Sequence, residues 1–249
     1  MAKQFASAGD MAEKKITFSE IGRDIWAFTA EGDPNTGVVI GDDSVMIVDA
    51  QATPRLLFQG HESIPGLTWP TMTFTDKMTV YLGKRRVDLM HLGRAHTAGD
   101  IVAWVPDERV ILTGDIVEYK AACYCGDGHF SDWGNTLDAI KSYDPTAIAP
   151  GRGDALVGTE MVDAALDFTR DFLLNTYRPA AAVAARGGSL KEAWDAVRAA
   201  CDPKFSDVPI YEHCLPFNVT RAYDEALGMD TPRIWTAERD RQMWEALQS

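Results

Sequence analysis

Two segments of the 249-residue chain share one layout, and that layout limits what the chain can fold into. In GVVIGDDSVMIVDA an apolar run from Gly37 to Gly41 turns at Asp42-Asp43, and a second run, Ser44 to Asp49, ends on a carboxylate. In DIVAWVPDERVILTGD the run Ile101 to Val105 turns at Pro106-Asp107, and Arg109 to Thr113 leads to Asp115. Short β-branched runs on either side of turn residues read as β-hairpins. A hairpin that delivers an aspartate to its strand end, used twice, predicts an internally duplicated sheet. Further β-rich runs at Thr71–Phe74, Met78–Leu82, Arg86–Leu92 and Thr146–Ala149 make residues 16–153 mostly sheet.

Beyond Gly153 the apolar period changes from two to about 3.6. Met161, Ala165, Phe168 and Phe172 share one helical face, and Trp194 and Val197 lie on another helix. Ser189 followed by Glu192 reads as a capping box. Pro179 and the Gly187-Gly188 pair predict a break between helices over Arg178–Gly188, and two more helices follow at Asn218–Leu227 and Thr236–Leu247. The expected division is a sheet-rich core over 1–153 and a helical C-terminal extension over 154–249 packing on it.

Charge and composition remove whole classes of function. Asp and Glu number 37 against 24 Lys and Arg, a net charge of -13, which repels phosphate backbones and anionic lipid. Residues 1–16 carry no apolar signal-type core, and no run approaches the length of a membrane span. Four cysteines are too few for a disulfide framework and suit a reducing, cytoplasmic setting. The expected partner is a small-molecule substrate, with no nucleic acid and no membrane. The apolar C-terminal helix with Trp235 and Trp244 offers a core contact or a surface for pairing subunits as a homodimer.

Only five histidines are available for chemistry. His96 lies in HLGRAHTAGD, where small neighbours let a loop pass close to an ion, and Asp115 ends the second hairpin. A histidine and a carboxylate brought to one cleft form a candidate metal-ligand pair. His91, on an apolar strand, reads as a core histidine, and His61 as an exposed loop residue. His129, in CYCGDGHFSDW, suits substrate contact or an ordinary loop, and Trp133 anchors the following helix. Cys123 and Cys125 stand one residue apart, so C-x-x-C chemistry does not apply to them. His213 and Asn218 could reach a site from the helical end, against a packing role for that helix.

Asp49 at a strand end, H-T-x-G-D at His96–Asp100, T-G-D at Thr113–Asp115 and P-G-x-G at Pro150–Gly153 occur in the order of the metallo-β-lactamase superfamily, which the chain resembles over about Phe18–Gly153. The resemblance implies an α/β fold, an αββα sandwich with metal at one edge. It implies metal ligation by His96 and Asp115, with Asp49 orienting neighbouring ligands. One divalent metal, zinc or else iron, would activate water to hydrolyse a small metabolite of the ester, thioester, lactone or lactam class.

The sequence departs from that pattern twice. The H-x-H-x-D-H signature expected after Asp49 is absent, which places an omitted segment near Arg55–Phe58, residues 55–58. Arg152 stands where P-G-H-G supplies a histidine to a second metal, and a guanidinium has no lone pair to donate. Arg152 is therefore expected to approach Asp115 or hold an anionic substrate group, leaving a single-metal site. The alternatives are a mononuclear iron oxygenase resembling persulfide dioxygenases, and a metal-free scaffold that binds an anion.

Overall fold

The computed structural model describes residues 15–49 and 72–248. Among the described residues there are ten strands and five helices, and the strands form two sheets. The first sheet orders β1 (Ile16–Gly22), β2 (Ile25–Ala30), β3 (Thr36–Ile40) and β4 (Val45–Val48) as β1-β2-β3-β4, each pair antiparallel. The second contains β5 (Lys77–Leu82), β6 (Arg85–Met90), β7 (Val102–Val105), β8 (Val110–Glu118), β9 (Ala147–Arg152) and β10 (Leu156–Val157), in the order β10-β9-β8-β7-β6-β5. Both sequence hairpins form: Val39 pairs with Met46 across the first, and Trp104 with Ile111 across the second.

The chain divides into two compact units. One comprises Met1–His91, Ile101–Gly114 and Pro145–Val162, and contains most of both sheets. Its core lies between the sheets, with Ile25, Ala27 and Val39 from the first meeting Leu82, Val87, Val105, Leu112 and Ala149 from the second. Packing is close enough that a Cβ on Gly37 would come within 2.6 Å of the Leu112 side chain. A buried Asp88 on β6 sits among Lys77, Thr79 and Arg86, each of which donates to it.

The other unit comprises Leu92–Asp100, Asp115–Asp144 and Asp163–Ser249. It carries α1 (Phe130–Ser142), most of α2 (Thr159–Ala185), and α3 (Leu190–Phe205), α4 (Tyr211–Ala226) and α5 (Ala237–Gln248). The capping box is present: Ser189 Oγ accepts from Glu192 N–H, and the Glu192 carboxylate accepts from Ser189 N–H.

Three expectations about elements need correction. Residues 72–74 form no strand, so the Thr71–Phe74 run is not part of a sheet where it is described. The helix predicted to break at Arg178 continues through Pro179 to Ala185. Pro179 forfeits one backbone hydrogen bond at a cost of about 3 kcal/mol or more, yet Phe172, Leu173, Ala180 and Val183 are all buried along the same helix, and that burial outweighs it. The break comes at Gly187, whose φ is +71°, with Gly188 N–H donating to Val183 C=O in a Schellman-type turn. Helix α4 starts at Tyr211 rather than Asn218, carrying Pro216 within it. The Arg55–Phe58 junction and His61 lie outside the described residues.

Candidate functional site

His96 is positioned by hydrogen bonds within its loop. Asp100 accepts from the Thr97 N–H at 2.8 Å and from the Thr97 hydroxyl at 2.6 Å, closing the H-T-x-G-D turn. The aspartate of that motif therefore shapes the loop. Ala95 C=O accepts from His129 N–H, and Arg94 C=O from the Thr136 hydroxyl, tying the loop to the start of α1. His96 Nε2 then lies 3.7 Å from Asp115 Oδ2, and the two side chains keep 20% and 30% of their exposure. The pairing expected from the sequence is present, with both groups reachable from solvent.

Aromatic rings hold the imidazole. Trp133, fully buried on α1, meets the His96 ring edge-on at 6.1 Å and donates its indole N–H to Ile116 C=O, beside Asp115. Tyr124 lies 6.1 Å from the same ring on its other contact, and burial pushes its hydroxyl pKa up. Asn218, on α4, clamps the turn that carries Tyr124: its Oδ1 accepts from Cys125 N–H at 2.6 Å and its Nδ2 donates to Cys123 C=O at 2.8 Å. Cys123 and Cys125 are buried, and their pKa values are raised, which keeps both thiols protonated and unreactive.

The other candidates are placed as follows. His129 is buried just before α1, its Nε2 without a hydrogen-bond partner. Burial, then the Arg94 and Arg221 charges, lower its pKa and hold it neutral. His213 is exposed on the first turn of α4 and packs against Phe217, whose ring in turn meets Tyr124. His91 follows β6 and is half-buried.

In the sheet-rich unit, Asp49 follows β4 with φ +62° and an exposed side chain. Its Oδ2 is 3.0 Å from where a Cβ on Gly114 would sit, and Gly114 has φ +51°. Two separate constraints thus demand glycine in T-G-D: the left-handed backbone and the adjacent carboxylate. Arg152 ends β9 and is half-buried. Its loop is strapped by Asn35, whose side-chain amide donates to Pro150 C=O and Gly153 C=O at 2.8 Å each, while its N–H donates to Gly151 C=O. Asn35 and Tyr124 were not among the sequence candidates: Tyr124 lies in CYCGDGHFSDW, where the histidine and cysteines drew the reading, and the local signal for Asn35 is its place at a turn before β3.

A tetrahedral zinc with N and O ligands at about 2.0–2.2 Å separates those atoms by about 3.4 Å. The 3.7 Å His96–Asp115 spacing fits two corners of such a site after a small side-chain adjustment. Among the described residues no group of three His, Cys, Asp or Glu side chains is arranged to hold a metal.

Comparison with known proteins bears on the fold. The chain is 31% identical over 119 residues to a metallo-β-lactamase type 2 of Bacteroides fragilis, covering 46% of this chain and 47% of that protein. The solved metallo-β-lactamase IND-7 superimposes with a TM-score of 0.51 at 16% identity, over 65% of this chain and 99% of its own. The chain has the metallo-β-lactamase fold. A metallo-β-lactamase from Pontibacter korlensis shares the same fold, with a TM-score of 0.50 at 15% identity over 65% of this chain and all of that one. A linear primary-alkylsulfatase of a Pseudomonas strain is 24% identical over 141 residues, 54% of this chain and 26% of that enzyme. The chain thus spans half or less of the length of the curated relatives it matches. No protein-family model matches the chain. The relatives' names are those of hydrolases, and the α/β sandwich of this chain is the metallo-β-lactamase fold.

Proposed function

We propose that this protein is a metal-dependent hydrolase of a small metabolite, acting at one divalent metal held in part by His96 and Asp115. The observation that carries the reading is their approach to 3.7 Å with exposure retained on both side chains. Zinc bound at an open position lowers the pKa of its water to about 7 and supplies a hydroxide nucleophile. The chain's own residues supply positioning. Asp100 fixes the turn that presents His96, Trp133 and Tyr124 set its ring plane, and Asn218 holds the Tyr124 turn against α4.

Arg152 has no lone pair, so the position that gives a second-metal histidine in the family gives none here. A cation there stays charged and is suited to an anionic substrate group. The net charge of -13 and the pair of carboxylate-bearing hairpins favour a substrate small enough to enter without relying on long-range attraction. Esters, thioesters, lactones and lactams all suit attack by an activated water.

A second reading is a metal-free scaffold that binds an anion through the Arg152 guanidinium, which cannot ligate a metal. Inductively coupled plasma mass spectrometry on the purified chain, with hydrolysis measured on chromogenic ester, thioester, lactone and β-lactam panels, separates the two. One metal per chain, with metal and hydrolysis both lost in His96→Ala and Asp115→Ala, is the expected result. A metal-free chain inert on every panel would replace the hydrolase reading with the anion-binding one, and bound iron with oxygen consumption would replace it with an oxygenase.

A further inference from the structure

The unit that holds His96 and Asp115 also lines up a row of aromatic rings that ends at His96. The Arg239 guanidinium lies over the Trp235 ring at 3.5 Å, and Trp235 meets Phe217 edge-on at 4.9 Å. Phe217 meets Tyr124 at 5.7 Å, and Tyr124 meets His96 at 6.1 Å. Three segments supply the row: the loop between β8 and α1, helix α4, and the stretch just before α5. Its far end is fixed, because Arg239 is buried and donates to Asp224 Oδ2 at 3.2 Å. Each ring is backed by the next, and Tyr124 stands beside the proposed metal pair.

Two features distinguish these rings from the packing aromatics of the same unit. Trp133, Phe172 and Tyr211 are almost wholly buried, whereas Tyr124, Phe217 and Trp235 are half-buried in spite of their ring contacts. Tyr211 commits its hydroxyl to Asp202, and Tyr223 commits its own to Gly188 C=O. The Tyr124 hydroxyl has no such partner among the described residues. Burial, then the Asp127 charge, raises its pKa, so at neutral pH it keeps its proton and can donate. The backbone also makes room for it. A Cβ on Gly126 would clash with the Tyr124 hydroxyl and come within 2.9 Å of Trp235 Nε1, so a bare glycine lets both polar ring tips sit there.

We infer that Tyr124 and Phe217 form the specificity subsite of the His96–Asp115 centre, taking an aryl group next to the scissile carbonyl while the Tyr124 hydroxyl donates to an oxygen of the same molecule. The inference rests on the hydrolase reading above and narrows its substrates to neutral aryl-substituted acyl compounds. Two rings tilted by 55° present a face and an edge to a third. Such offset and edge-on contacts favour an aryl group over a saturated ring of equal size, beyond the area either one buries. A neutral group also escapes the repulsion that a chain of charge -13 exerts on anions.

Phenylacetamide and cyclohexylacetamide test the subsite without metal or turnover, since both are neutral, carry the same carbonyl acceptor and resist hydrolysis. Titrated into the isotope-labelled full chain, phenylacetamide is expected to shift the Tyr124 amide and the Trp235 indole N–H resonances. It should bind about two- to tenfold more tightly than cyclohexylacetamide. Phe217→Leu should abolish that preference, and Tyr124→Phe should keep it while weakening both probes about two- to tenfold. Circular dichroism confirms folding, and Tyr124→Phe alone decides the matter if Phe217→Leu does not fold. Rings that only pack would move neither the preference nor the affinity. Hydrolysis of methyl phenylacetate against methyl cyclohexylacetate separates this inference from the reading beneath it. Equal kcat/KM for the two esters, with no binding preference, would overturn the subsite and leave the hydrolase. Aryl-selective binding by a chain that hydrolyses neither ester would support the subsite and remove the hydrolase. No shift at Tyr124 or Trp235 with either amide would overturn the inference outright.

Discussion

Replacing Asn218 with alanine removes a clamp that joins helix α4 to the turn beside His96. The Asn218 side chain is fully buried and serves two backbone groups, the Cys125 N–H at 2.6 Å and the Cys123 C=O at 2.8 Å. Each buried backbone group left without a partner costs about 1–3 kcal/mol. The pair predicts a loss of about 2–6 kcal/mol, a large share of the 5–15 kcal/mol that typically holds a domain together. Urea unfolding followed by circular dichroism measures it directly. Asn218→Asp keeps the acceptor for Cys125 N–H, loses the donor to Cys123 C=O and buries a charge, so it should be at least as destabilising. The Tyr124 ring rides on the clamped turn, and the His96 imidazole resonances should shift in both variants. A loss below about 0.5 kcal/mol for Asn218→Ala would mean that water or a rearranged turn pairs those groups, and the positioning role would fall with it.

Two further outcomes are expected. Asp88 is buried, which by itself raises its pKa, but hydrogen bonds from Arg86, Lys77 and Thr79 outweigh burial and hold the carboxyl below the usual carboxylate range. Its stabilisation is thus present above the ordinary carboxylate pKa and is lost as pH falls through the lowered one. Asp88→Asn should flatten the acid limb of a stability–pH profile measured by urea unfolding, and an unchanged acid limb would refute this. For Arg152, metal analysis of the parent chain should give no more than one ion, and Arg152→His should leave that number unchanged while no further donor joins His96 and Asp115. Two tightly held ions in the parent would refute the single-metal reading.

Local patterns in the sequence were enough for the two hairpins, the first ending at Asp49, the Ser189–Glu192 capping box, and the H-T-x-G-D turn. Each rests on residues a few positions apart, where strand or helix period and turn chemistry carry the information themselves. The proximity of His96 and Asp115 was legible through motif order, although β8 runs on past Asp115, where the sequence placed its end, to Glu118. What only the folded chain decided depends on distant partners. The Asn218 clamp joins residues 95 apart, and the Asn35 strap on the Arg152 loop spans 115. No local period marks either one. Pro179 shows the same limit from the other side: its local signal says break, but the helix continues because buried Phe172, Leu173, Ala180 and Val183 gain more from packing than one lost hydrogen bond costs. The burial of His129 just before α1 is likewise something that no sequence spacing reports.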